Sequence, residues 1–188
     1  MNNILVTTDF SQPANHAAIF AAELARWAGA RLILFHAYHP AILLEEDTIW
    51  ADNEALEKEV QDKIDALAHE IHKNHGISVT RVLKPGFAVD EILDISKKVK
   101  ADLLVIGTEG AGQRVKTGPG KICTEVLKKA TLPAICLSPG TTLEMLSETE
   151  PALKENGVGG NAAGLELVAS VISAAATKKN LTHSATNI

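Results

Sequence analysis

The sequence predicts an α/β protein built on an open parallel sheet with helices on both faces. Three observations carry this. Five strand-like runs alternate with four helix-like runs before residue 140, and such alternation calls for right-handed crossovers that lay helices over a sheet. Two of the strand-like runs, Leu32 to Phe35 and Leu103 to Ile106, are apolar without interruption, which marks strands covered on both sides. The intervening segments place their apolar residues at helical spacing, as Leu56, Val60, Ile64, Leu67 and Ile71 do.

The elements follow in order. Asn3 to Thr8 is β-rich and stops at Asp9. Ser11 can cap the next helix, Pro13 falls in its first turn where a missing N–H costs little, and Gly29 ends it. Its Ala18, Ala21, Ala22 and Ala25 permit close approach to a sheet. Arg31 to Tyr38 is the second strand, and residues 41 to 52 form a connection of undefined structure. The helix carrying Leu56 to Ile71 has a solvated face between Glu57 and Asp65 and ends at Gly76. Ile77 to Leu83 alternates as a strand, and Pro85-Gly86 turns the chain. Ile92, Ile95 and Val99 share the face of a third helix. Asp102 to Ile106 is the fourth strand, a helix near Lys121 to Ala130 follows, and Pro133 to Leu137 is the fifth strand. Pro139-Gly140 closes the unit.

Composition bounds the function. A chain of 188 residues with 46% hydrophobic, 22% charged and 4% aromatic residues is long enough for one domain with an aliphatic core and short for two. A net charge of -5 argues against a protein that lives on nucleic acid. No signal-peptide pattern opens the sequence, and no apolar run approaches the length needed to span a bilayer, so neither a membrane nor export is expected and the cytoplasm is the expected compartment. The two cysteines, Cys123 and Cys136, read as reduced and mostly buried thiols.

Between the fourth strand and the fourth helix lies a loop with glycines at 107, 110, 112, 118 and 120. Glycine lets backbone N–H groups approach a ligand, and a helix start adds unpaired donors and a dipole that favours an anion. Two common phosphate grips are excluded. A P-loop ending at Gly120-Lys121 would need glycine where Val115 stands and Ser or Thr where Ile122 stands. The dinucleotide fingerprint fails at Val115 in one register and at Cys123 in the other. Catalytic machinery is also missing: the histidines are scattered, His69 and His72 lack a matching carboxylate or Cys pattern for a metal, and there is no nucleophile elbow.

The spacing Gly107, two residues, Gly110, nine residues, Gly120 resembles the nucleotide loop of the universal stress protein family. Four further stretches carry the resemblance: Ile4 to Ser11, which ends its strand in Asp followed by Ser; Leu34 to Ala37; Asp102 to Thr108, which enters the glycine loop; and Val126 to Ile135. The likeness covers roughly residues 2 to 138. It implies strand order 3-2-1-4-5 in an adenine nucleotide alpha hydrolase-like sheet, which sets the ends of the first and fourth strands side by side at the switch point where such sheets bind ligands. It further implies an ATP site, with or without Mg2+. Asp9 and Ala37 would meet the adenosine half, Gly107, Gly110, Gly120, Lys121 and Ile122 would lie along ribose and phosphates, and Thr8 and Ile106 would belong to the same nucleotide site.

Asp9 has a second reading as a helix cap, and the loop a second reading as a solvent loop, since the family holds members with and without nucleotide. The sequence departs from the family pattern at Lys121, where Ser or Thr is usual. A lysine could replace the lost donor with a charged one, aided by Arg114 and Lys116, or could fill the phosphate site. The expected role is a stress-response regulator or sensor and not a dedicated enzyme, with slow ATP hydrolysis at most. The alternative is a dimeric interaction module without nucleotide. The resemblance implies a homodimer through the last strand, Pro133 to Leu137, at the sheet edge. The domain is thus expected over residues 1 to 140. Residues 141 to 188 are an extension: a helix over Thr142 to Lys154, a break at Gly157 to Gly160 and a second helix striped by Leu165, Val168, Ile172 and Ala176, or else a flexible tail or the stub of a related domain.

Overall fold

The computed structural model describes residues 1–39, 51–108, 120–143 and 158–171. Its elements are β1 (Asn3–Thr7), α1 (Gln12–Ala28), β2 (Arg31–Tyr38), α2 (Ala51–His75), β3 (Val79–Pro85), α3 (Ala88–Lys98), β4 (Leu103–Gly107), α4 (Lys121–Lys129), β5 (Ala134–Leu137) and β6 (Val158–Gly160). A further helix, α5, spans residues 162–171. The strands form one sheet in the order β3-β2-β1-β4-β5-β6. The first five are parallel in the expected order, and β6 is antiparallel to β5.

Alternation of side chains across the strands divides the core into two layers. Ile4, Val6, Leu32, Leu34, Leu103 and Val105 face one side, against α1, α2 and α5. Leu5, Ile33, Phe35, Leu104 and Ile106 face the other, against α3 and α4. The continuous apolar runs of β2 and β4 are therefore explained, because both of their faces are roofed.

Local chemistry sets the ends of the helices. Ser11 is the N-cap of α1, its Oγ accepting from the Ala14 N–H, and Gly29 ends the helix in the left-handed region at φ 64°. Six alanines of α1 are buried, which lets the helix lie close to the sheet. On α2, Val60, Ile64, Leu67 and Ile71 are buried as their spacing requires. At the amino ends of the strands, Asp102 accepts from the backbone N–H groups of Asn2 and Asn3, and Asn3 Nδ2 donates to the Val99 and Lys100 carbonyls. These bonds tie β1 to the turn before β4.

The structure departs from the sequence analysis in three places. β3 begins at Val79 and continues through Pro85, which pairs with Tyr38. Proline is tolerated there because β3 is an edge strand, bonded on one side alone. Second, β5 is not the edge of the sheet. The segment read as a break contributes β6, whose Val158, Gly159 and Gly160 pair with Leu137, Cys136 and Ile135. The strand expected to meet a second copy is covered by its own chain.

Third, the cysteines are not reduced thiols: Cys123 and Cys136 form a disulfide, with their Cα atoms 6.7 Å apart. The first turn of α4 lies over β5, which brings two residues 13 apart in sequence to bridging range. In the extension, Leu165 and Val168 are buried as their stripe predicts. Ile172, Ala176 and most of the helix expected over 142–154 lie outside the described residues.

Candidate functional site

The carboxyl ends of β1 and β4 are adjacent, since β1 pairs with β2 on one side and with β4 on the other. The chain leaves β1 through a tightly bonded turn. Thr8 donates its N–H to the Phe35 carbonyl at 2.9 Å, and its Oγ1 accepts from the Phe10 N–H at 2.9 Å. Asp9 Oδ1 accepts from the Ser11 N–H at 3.0 Å and from the Ser11 hydroxyl. Phe10 stands at φ 63°, a left-handed conformation uncommon for a bulky residue. Its ring packs on His36, with centroids 4.4 Å apart. His36 Nδ1 lies 2.7 Å from the Thr8 carbonyl. A carbonyl can only accept, so Nδ1 carries the proton. Burial lowers the His36 pKa below the usual 6.5, against opposing contributions from the Thr8 hydrogen bond and Asp9.

Across from this turn, β4 ends at Gly107. A Cβ there would come within 3.2 Å of the Pro13 carbonyl oxygen and 3.3 Å of the Ala14 Cα, so the glycine admits the first turn of α1. Thr108 donates its N–H to the Leu137 carbonyl at 2.9 Å and accepts from the Gly120 N–H at 2.6 Å. This pair of bonds fastens both stems of the glycine loop to the sheet. α4 then starts at Lys121 from an N-cap, Gly120, that has no side chain to satisfy its first-turn N–H groups.

Between the two turns lies a cavity of about 350 Å³, within the range of small-molecule sites. Thr8 and Asp9 line it from β1 and its turn, Ala37 from β2, Ile106 and Gly107 from β4, and Gly120, Lys121 and Ile122 from the start of α4. Gly110, Arg114 and Lys116, also singled out in the sequence, lie outside the described residues. The sequence analysis missed the wall made by Ala88 and Ile92 of α3 and by Phe35 and Cys123. Ile92 was recognised as an apolar helix position, but spacing cannot tell a residue that meets the sheet from one that meets a cleft.

Lys121 does not plug the hollow. Its side chain is 88% exposed, with Nζ 3.9 Å from Glu125 Oε1 on the outer surface of α4. The second reading of Asp9 is met in part: its carboxylate organises Ser11, and Ser11 caps the helix. Among the described residues, no cluster of three His, Cys, Asp or Glu side chains could hold a metal ion. His69 and His72 are exposed on α2, and His72 Nδ1 bonds the Ile77 carbonyl at 2.9 Å. Among the described residues, no helix is long and apolar enough to cross a membrane.

Fold and cleft together define the class: an open, doubly wound α/β protein with a cavity at the switch point and a helix N-terminus at its mouth. The sequence profile of the Universal stress protein family matches residues 1–137, and the chain belongs to that family. A universal stress protein of Methanocaldococcus jannaschii is 27% identical over 138 residues, covering 70% of this chain and 79% of its own. Among solved structures, the universal stress protein from Archaeoglobus fulgidus in complex with dAMP is 25% identical, with a TM-score of 0.55 over 72% of this chain and 97% of that one. A universal stress protein in complex with cAMP is 20% identical, with a TM-score of 0.57 over 73% of this chain and 96% of that one. The second likeness speaks for the fold.

Proposed function

We propose that this protein binds an adenine nucleotide, ATP foremost, in the cavity between β1, β4 and α4, and that occupancy of the site regulates a stress response. The observation that carries the reading is the convergence of Asp9, Ala37, Gly107, Gly120 and Ile122, from four separate elements, on one cavity beside a helix N-terminus. The walls match the chemistry of the ligand. Ala37, Ala88, Ile92 and Phe35 form an apolar slot suited to a flat base, and the uncapped first turn of α4 supplies N–H groups and a dipole for phosphate oxygens. Gly120 itself gives its N–H to Thr108, so its part is to bring the backbone close, and donation falls to the residues after it. Lys121, at the rim of the cavity with its side chain largely exposed, can swing its charge toward a phosphate at the mouth. Mg2+, if it accompanies ATP, would be held chiefly by the phosphates, with Asp9 as the carboxylate on the cavity wall. The dAMP complex of a related protein supports the adenine class.

The alternative, a dimeric module that pairs through β5, loses support because β6 occupies that edge. Two measurements test the proposal. Mass analysis of ligand released from freshly purified protein should find an adenine nucleotide. Titration calorimetry should detect ATP binding, and Ala37→Trp, which fills the base slot, should weaken it by tenfold or more, about 1.4 kcal/mol. Absence of heat at millimolar ATP would reject the reading.

A further inference from the structure

The disulfide joins the site to the sheet. Cys123 lines the cavity and sits in the first turn of α4, the turn whose N–H groups face the mouth. Cys136 lies in β5, buried under α4 and not on the cavity wall. Both sulfurs are shielded from bulk solvent, so the way to the bridge runs through the cavity to Cys123. We propose that Cys123–Cys136 is a thiol–disulfide exchange site, with a small dithiol as its reductant, and that its redox state sets the affinity of the cavity for its ligand.

The chemistry balances with the two cysteines and the dithiol. A thiolate of the dithiol attacks Cys123 Sγ from the cavity, a mixed disulfide forms, and the bond to Cys136 breaks; Cys136 leaves as a thiolate and takes up a proton. The second thiol of the reductant then displaces Cys123, leaving two protein thiols and a cyclic disulfide, with two electrons passed from the dithiol to the bridge. The first turn of a helix favours thiolate at Cys123, which eases that departure and the reverse oxidation.

Two effects of reduction have the same sign. Released sulfurs can no longer approach to the bonded distance of about 2.05 Å. Cys136 is held in the sheet core, so Cys123 must give way, either into the cavity or by carrying the start of α4 outward. Loss of the bridge also frees a turn that had been positioned for the ligand, and a less organised site binds more weakly. The oxidised form is therefore the tighter binder, and a bound ligand blocks the dithiol's path.

The coupling rests on the nucleotide reading, and the experiment keeps the two apart. Full-length protein is purified without reductant, treated with dithiothreitol, and its thiols are counted by alkylation and mass measurement. ATP affinity is measured before and after. Two thiols should appear on treatment, and ATP affinity should fall by about threefold or more, the loss expected when one wall of an organised site is freed. ATP held near ten times its Kd should slow reduction by roughly tenfold. Cys136→Ser should bind as the reduced form does and ignore dithiothreitol; should that variant not fold, the wild-type comparison and the protection measurement decide. Equal affinity in the two states, reduction indifferent to saturating ATP, or two free thiols that mild oxidation leaves unpaired would each overturn the proposal. ATP binding to neither state is a failure of the nucleotide reading, seen before any redox comparison, and removes the coupling with it.

Discussion

Gly107 has two reasons to be glycine, and they act in opposite directions from the backbone. On one side it lines the cavity; on the other it lets Pro13 and Ala14 of α1 within van der Waals range. Gly107→Ala should therefore cost stability even without ligand, on the order of 1–2 kcal/mol, because the helix backbone must shift to admit the methyl. A thermal melt of the unliganded variant checks this. His36 yields a prediction on pH. Its folded-state pKa is below 6.5 because burial disfavours the imidazolium, so the unfolded chain takes up the proton first. Stability is then complete above pH 6.5 and is lost as pH falls from there through the lower folded value. His36→Asn keeps a donor for the Thr8 carbonyl without titrating, so the melting temperature should fall less between pH 7.5 and 5.5 in the variant than in the parent. Spacing could show neither role, since one depends on α1 lying across β4 and the other on Phe10 turning back over the ring.

Beyond the β5 pairing and the burial of Leu165 and Val168, one side chain links β6 and α5 to the sheet. Asn161 accepts from the Ala134 N–H at 3.1 Å, donates to the Leu132 carbonyl at 2.8 Å, and caps α5 by accepting from the Gly164 N–H at 2.8 Å. Removing it takes the side-chain partner from the Ala134 N–H at the start of β5 and from the Leu132 carbonyl just before it, so Asn161→Ala should cost about 2–3 kcal/mol. Hydrogen exchange would place the loss at β5 and the extension while β1 and β2 stay protected. The contrast with β2 shows what pattern can reveal. Arg31 to Tyr38 is legible with its observed limits because it holds an unbroken apolar run, Leu32 to Phe35, that is buried on both faces. Val158-Gly-Gly has no such signature; it is a strand because β5 offers an open edge and glycine fits against it. At Gly160 and Gly164 a Cβ would fall 2.5 and 2.4 Å from the Ala134 carbonyl oxygen.

These contacts decide how the molecule meets its neighbours. An apolar strand with an open edge invites pairing with another chain, and a short glycine-rich strand laid along it removes the invitation. Gly160→Val should dislodge β6 and increase concentration-dependent self-association, read as a rise in mass by light scattering above that of the parent. The disulfide acts on the same region: closing a span of 13 residues, it should contribute about 3 kcal/mol by restricting the unfolded chain. Chemical denaturation with and without dithiothreitol measures that difference. Both devices brace the end of the sheet that carries α4, and through α4 the mouth of the cavity.

Whereas the residues expected at the switch point came from the family resemblance, the sequence by itself determined the alternation of strands and helices, the caps of α1 and the two-faced burial of β2 and β4. These are properties of short windows: periodicity, capping chemistry and continuous apolar runs act over a few residues and survive in the linear order. The tertiary structure alone decided the bridge between Cys123 and Cys136, the sixth strand on β5, the α3 wall of the cavity and the outward course of Lys121. Each depends on the distance between elements that packing brings together, and no local spacing encodes that distance.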